Sequence, residues 1–229
     1  SGTIGTNVGA SVTWTPALTL ASVIPGANSG SCTITCQSYN GGVLTGTRTC
    51  ALTLKVPPAV VPSISSVTVS DANITVATKI GAYVKMLSTL SVEITAAGSY
   101  GSTVSSYRTS LDGVNYTQAS ITCTKRLSTS GDLTLTVTVT DSRGRTATYT
   151  ETLTVLDYSY PSIRLFKADR CNADGSAAQV DGKNVRYSFT GSVVSLNNKN
   201  ALAGEEPHME ALGEAALHPL RRYHFHTAR

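Results

Sequence analysis

The chain has 229 residues, of which 41% are hydrophobic, enough to bury cores, and only 14% are charged, well below the ~25% usual for soluble domains. Its net charge of +4 is scattered rather than gathered into the basic stripe a nucleic-acid binder needs. No apolar run approaches the ~18–20 residues of a membrane span, and residues 1–10 lack the charged start and apolar core of a secretory leader. Ser and Thr fill the deficit at about a quarter of the chain. Thr is β-branched and suits a pleated surface, so the composition predicts an all-β protein with hydroxyls on its solvent faces.

In chain order, residues 1–58 carry Trp14, expected on a strand either as core or as a sugar platform, then a strand through Cys32-Thr33-Ile34-Thr35-Cys36. The turn Asn40-Gly41-Gly42 follows, and the strand Ala51-Leu52-Thr53-Leu54-Lys55-Val56 returns. The cysteines, Cys32, Cys36, Cys50, Cys123 and Cys171, are odd in number and hold no Cys-x-x-Cys pair. Cys32 and Cys36 share one face of a strand, too far apart at ~3.3 Å per residue to bond each other. Cys50 faces Cys32 across the hairpin in one reading, which allows a disulfide; in the other, the thiols are free and buried.

Pro57-Pro58 and Pro62 fix φ and mark a short, stiff junction. Residues 59–158 then read as seven strands: 64–71, 84–95, 103–110, 114–118, 121–127, 133–140 and 146–155. Leu111-Asp112-Gly113 is a hairpin signal. In the sixth strand Leu133, Leu135, Val137 and Val139 alternate with Thr134, Thr136, Thr138 and Thr140, the period-two mark of a sheet with one dry face. The turn Asp141-Ser142-Arg143-Gly144 leads into the last strand.

This hairpin has occurred before. Val61-Pro62-Ser63-Ile64 returns as Tyr160-Pro161-Ser162-Ile163, a shift of 99 positions, each time after an alternating Leu/Val strand. Upstream, Thr33-Ile34-Thr35-Cys36 matches Thr134-Leu135-Thr136-Val137. A period of about 100 residues is the length of one immunoglobulin-like domain. The expected architecture is therefore tandem immunoglobulin or fibronectin-III-like β-sandwiches, the first and last incomplete. Residues 1–58 are the C-terminal half of one, 59–158 a complete one, and 159–200 the start of a third. A closed barrel is the other all-β architecture; Pro-marked junctions favour a string of domains with limited bending.

The pattern stops after Asn197-Asn198-Lys199-Asn200. Residues 201–229 hold all four histidines, His208, His218, His224 and His226, and residues 205–217 are rich in helix formers. Two readings stand: a short terminal helix, or a truncated or frame-shifted end in place of the rest of the third domain. The mid-domain start and the lack of an initiating Met agree with a fragment of a larger protein.

Chemistry is sparse. Residues 1–200 contain no histidine, which removes Ser/His/Asp and Cys/His nucleophilic machinery. The carboxylates Asp71, Glu93, Asp112, Asp132, Asp141, Glu151 and Asp157 fall in turns or on polar faces, not in a pair suited to glycoside hydrolysis. No Gly-rich phosphate loop precedes a helix. His224-Phe225-His226 lacks companion ligands, and Asp169-Arg170-Cys171-Asn172-Ala173-Asp174-Gly175 has a calcium-loop flavour but the wrong spacing and no distant Glu. The expectation is no catalytic residue, no metal and no cofactor. Tyr100, Tyr107 and Tyr116 fall near the middle hairpin and are the candidate ligand-binding residues, for sugar or protein; half-buried packing is the alternative for them.

Ser11-Val12-Thr13-Trp14-Thr15-Pro16, Ile24-Pro25 and Cys32-Thr33-Ile34-Thr35-Cys36 together resemble the repeat region of siphophage minor structural proteins, tail-associated proteins of phages infecting Gram-positive bacteria. So do Val139-Thr140-Asp141-Ser142-Arg143-Gly144-Arg145 and the stretch from Tyr160-Pro161-Ser162-Ile163 through Ala168-Asp169-Arg170-Cys171-Asn172-Ala173-Asp174-Gly175. The resemblance covers roughly residues 1–200 and ends where the family would continue with more strands. Its motifs are turns and junctions, so no functional residue is carried over. It implies a virion tail or baseplate-fibre component, synthesised in the host cytoplasm, acting as a spacer or weak host-surface binder. The partners implied are other virion tail proteins, host cell-wall polysaccharide and further copies of the chain, with neither nucleic acid nor membrane. The rival readings are a bacterial cell-surface adhesin stalk and an accessory binding module of a secreted glycan-active enzyme.

Overall fold

Alternation becomes strands almost wherever the sequence shows it. The computed structural model describes residues 2–177 and 182–200. Its first hairpin joins β1 (Ser29–Asn40) to β2 (Val43–Lys55), antiparallel. Gly41 and Gly42 make the turn at φ of 55° and 87°, conformations that cost glycine little because it has no Cβ. Residues 2–17 form no strand, so Trp14, expected on one, lies in irregular chain with 37% of its surface exposed. A single 3-10 helix, Leu18–Val23, follows.

The central segment holds eight strands and one short helix: β3 (Ser63–Asp71), α1 (Ile74–Lys79), β4 (Tyr83–Val84), β5 (Leu90–Ala97), β6 (Val104–Leu111), β7 (Val114–Tyr116), β8 (Ser120–Thr122), β9 (Gly131–Asp141) and β10 (Thr146–Leu156). They form a three-stranded sheet, β3-β5-β8, and a five-stranded sheet, β4-β10-β9-β6-β7. β11 (Ser162–Cys171) and β12 (Asn184–Ser192) make a separate antiparallel pair. The protein is all-β, as its composition predicts.

Two sequence expectations change. Residues 84–95 are not one strand: Met86 sits at φ 65°, outside the β region, and its N–H donates to the Leu127 carbonyl while the Leu127 N–H donates to Ser88. That crossed pairing also shortens the strand expected over 121–127 to β8. The helix α1 was not expected among so many β-branched residues. It forms because the Asn73 side chain caps it, accepting from the Val76 N–H at 3.4 Å, which satisfies a donor that a helix start otherwise leaves open.

By contact the chain divides into two compact units, each described by itself. The first comprises the described residues up to Ser70, Ser91–Thr122 and Thr134–Thr152; the second comprises Asp71–Leu90, Cys123–Leu133 and the described residues from Leu153 onward. In the first, Val92 and Ile94 of β5, Ile121 of β8 and Leu135, Val137 and Val139 of β9 are buried. β6 pairs with β9 so that Tyr107 stands opposite Val139 and Thr109 opposite Val137. In the second unit, Val76, Val84 and Leu196 form a core with Ile80, Leu87, Leu156, Tyr158 and Val194 against it. Asp71 Oδ1 ties that unit's loop together by accepting from the N–H groups of Asn73 and Thr89.

The cysteine readings are corrected. Register places Cys32 opposite Leu52 and Cys50 opposite Ile34, an offset of two residues, and all five thiols are free. Cys123 and Cys171 are buried, but Cys36 and Cys50 are exposed and Cys32 is half-buried, so the expectation of buried thiols holds for only two.

The fully buried Leu135 sets a first prediction: Leu135→Ala lowers unfolding stability by about 2–5 kcal/mol through lost transfer energy and the cavity left behind, read as a fall in urea midpoint at constant m. A second concerns Asp157, whose carboxyl is held below its ordinary 3.8 chiefly by the hydrogen bond from Lys85, 3.1 Å away. A depressed carboxylate stabilises above its unfolded pKa and loses that contribution as pH falls through the folded value. NMR titration should give Asp157 a midpoint under 3.8, rising toward the ordinary value in Lys85→Ala, with the hydrogen bonds from Ser130 and the Tyr158 backbone still lowering it.

Candidate functional site

The turn between β9 and β10 is where the charge of this charge-poor chain is put to use. Asp141 closes it: its Oδ1 accepts from the backbone N–H groups of Arg143 and Arg145, both at 2.9 Å, an Asx-type turn. Gly144 completes the corner at φ 76°. With the loop so fixed, the two arginine side chains project onto segments far away in sequence.

Arg143 is only 4% exposed. Its Nε donates to the Ile24 carbonyl at 2.9 Å, Nη1 to Ser99 at 2.7 Å, and Nη2 to Ala21 at 2.9 Å and Tyr100 at 2.5 Å. Asp141 Oδ2 lies 4.0 Å from Nη1, supplying the counter-charge. A buried guanidinium is expensive unless paired and hydrogen-bonded; here the hydrogen bonds go to carbonyls, and the pairing is a charge contact at 4.0 Å in which Asp141 Oδ2 accepts no hydrogen bond. The Ala21 and Ile24 carbonyls both lie at the end of the 3-10 helix, where Ala21 already accepts from the Ile24 N–H at 3.0 Å and Arg143 adds a second donor.

Arg145 works beside it. Its Nη1 donates to the carbonyls of Pro57 and Val60, the latter at 2.7 Å, and Nη2 to Val56 at 2.6 Å. The proline junction that the sequence marks as stiff is thus gripped through its backbone. Ser142 Oγ donates to Pro25 at 2.6 Å and Asn28 Nδ2 to the Arg143 carbonyl at 3.0 Å. Under this polar layer, Ala21, Val56 and Val60 are buried together with Ile24 packed on them. Close approach also selects glycine at position 101: its φ is +81°, and a Cβ there would come within 3.1 Å of the Ser22 backbone.

Sequence reasoning named this turn without seeing what its arginines do. The available signal was Arg-x-Arg in a hairpin corner of a chain with few charges. The tyrosines are placed separately. Tyr107 on β6 and Tyr116 on β7 are half-buried. Tyr116 pairs with Thr109, which lies two residues beyond Tyr107 on the same face as buried Leu111. Tyr100 sits in the Ser99–Ser102 turn at φ 47°, 41% exposed, offering its carbonyl to Arg143. The structure therefore brings Tyr107 and Tyr116 to one sheet face and leaves Tyr100 in the loop.

In the second unit, residues 169–175, the segment with a calcium-loop flavour, form a closed turn. Asp174 Oδ1 accepts from the Ser176 N–H and hydroxyl, at 2.9 and 2.6 Å, and the hydroxyl hydrogen bond is the main cause that holds its carboxyl below the ordinary range. Asp169 pairs with Lys167 at 2.9 Å. No group of three or more His, Cys, Asp and Glu among the described residues is arranged to hold a metal ion. The four histidines and the helix expected over 205–217 lie outside the described residues.

Residues 1–199 match the family described as siphovirus protein of unknown function (DUF859). The chain belongs to this siphovirus family. No curated protein and no solved structure matches it. The match spans both arginines and ends where the alternating pattern of the siphovirus protein stops.

The geometry generates a third prediction. In the siphovirus protein, Arg143→Ala strands Asp141 as a buried charge and takes a donor from the carbonyls of Ala21, Ile24, Ser99 and Tyr100, costing about 3–5 kcal/mol. Arg143→Lys recovers less than half of this, because one ammonium cannot reproduce the planar fork. Thermal unfolding with limited proteolysis between residues 24 and 60 checks both.

Proposed function

We propose that this siphovirus protein is a non-catalytic structural component of the virion tail, whose immunoglobulin-like domains act as spacers joined at stiff junctions. The carrying observation is the use made of Arg143 and Arg145: their side-chain donors go to backbone carbonyls of residues 21–24, 56–60 and 99–100. A spacer needs fixed geometry from one segment to the next, and a backbone-directed clamp supplies it. The absence of histidine from residues 1–200 supports the non-catalytic part of the reading, and the family match favours a phage setting over an adhesin stalk or an accessory module of a secreted enzyme. The partners proposed are other virion tail proteins.

Gold-labelled antibody against the chain, applied to purified virions, should decorate tails and not heads. A protein abundant in the infected-cell lysate but absent from purified particles would overturn the assignment.

A further inference from the structure

Residues 1–70 hold no Asp or Glu; their charged side chains are Arg48 and Lys55, both on β2. The β1–β2 hairpin that carries these cations ends in an apolar tip. Tyr39, Val43 and Leu44 are 59%, 67% and 49% exposed. Tyr39 stands directly opposite Leu44, and Asn40 opposite Val43. Directly opposed residues share a face and successive residues alternate. Tyr39 and Leu44 therefore mark one face of the hairpin's end and Val43 the other. Between the strands, Gly41 and Gly42 keep the apex narrow; a Cβ on either would meet nothing within 4 Å.

Polar layers begin directly behind the tip. The Ser38 and Thr45 hydroxyls lie 3.1 Å apart, and Thr45 Oγ1 donates to the Ser38 carbonyl at 3.0 Å. The Tyr39 hydroxyl donates away from the tip, to Gln37 Oε1 at 3.1 Å. Arg48 follows about 13 Å further along β2 than Leu44, at ~3.3 Å per residue. The order outward from the tip is thus apolar, hydroxyl, cation.

The second hairpin shows what such a tip looks like when it seats on protein. In the repeat, the positions of Gly42 and Leu44 hold Arg143 and Arg145, which grip backbone carbonyls. The first tip has no donors for that grip, and its apolar atoms lie on both faces, whereas an end laid on a protein surface needs only one. Three side chains also fall far short of the roughly 20–30 residues a side of a specific protein interface. A fluid apolar phase imposes neither limit. It surrounds an inserted tip on every side, binding grows with apolar area, and nearby cations add attraction to anionic lipid. With Leu44 at the acyl boundary, Arg48 stands just outside a headgroup layer roughly 5–8 Å deep, within a Debye length of about 8 Å of its phosphates. We propose that this tip inserts end-on into the interface of a bilayer with anionic headgroups, Tyr39, Val43 and Leu44 at the acyl boundary and Arg48 over the phosphates. The resemblance to tail-associated proteins implies no membrane partner, and the tip adds one whether or not the chain resides in the tail.

Flotation of the 229-residue chain with vesicles of phosphatidylglycerol and phosphatidylcholine tests this. Wild type should float, and Val43→Asp/Leu44→Asp should bind more than ~10-fold more weakly, since burying two such side chains is worth well over one decade. Val23→Asp, at an equally exposed valine (67%) away from the tip, should leave binding unchanged. Arg48→Gln should weaken binding about 5-fold on these vesicles and not at all on pure phosphatidylcholine. Tyr39→Trp in a Trp14→Phe background should shift its emission to the blue on binding. Wild type that does not float, a tip double variant that floats equally well, or an unshifted Tyr39→Trp emission would overturn the proposal. So would an equal loss in Val23→Asp, since that makes the effect one of apolar surface in general.

Discussion

The first compact unit depends on one buried cation. Arg143 is a full positive charge at 4% exposure, and it is tolerable there only because its donors meet carbonyl oxygens and Asp141 stands behind it. The dependence runs both ways. The Asx turn organised by Asp141 aims the arginine, and the arginine supplies the counter-charge that keeps Asp141, 1% exposed, from being an isolated buried anion. Remove either and the other becomes a liability, which is why the corner behaves as a single element.

Much of the fold was legible because a sheet with one dry face writes itself into sequence. The Leu/Val–Thr alternation of residues 133–140 became β9, and its extension to Gly131–Asp141 moved the boundaries only slightly. Where the reading failed, the cause was a tertiary event with no periodic signature. Met86 leaves the β region at φ 65° with its N–H drawn to the Leu127 carbonyl. The α1 residues form a helix against their own propensities because Asn73 caps them and the Leu196 core buries Val76. Leu127 and Leu196 lie outside the local sequence, and the Asn73 cap alone does not outweigh the β-branched residues that follow it.

The candidate site was less legible than the fold, for a related reason. Its chemistry lies in pairing arginines with backbone carbonyls more than 40 positions away, and a carbonyl looks the same in every residue. Sequence inspection naturally weighed tyrosines, histidines and carboxylates, whose side chains announce a chemistry. Tyr107 and Tyr116 fall with the buried face of the sheet, whereas the residues that organise the junction look in sequence like two solvated charges in a loop.

That reliance on main-chain oxygens has a corollary for mutational tolerance. A grip that ignores side chains places few demands on the identity of the residues it holds, beyond small size at positions such as Gly101 and Ala21. The gripped segment can change most of its side chains without changing the atoms the corner holds. A substitution in residues 21–24 or 56–60 that keeps the backbone path therefore leaves the corner's hydrogen bonds in place.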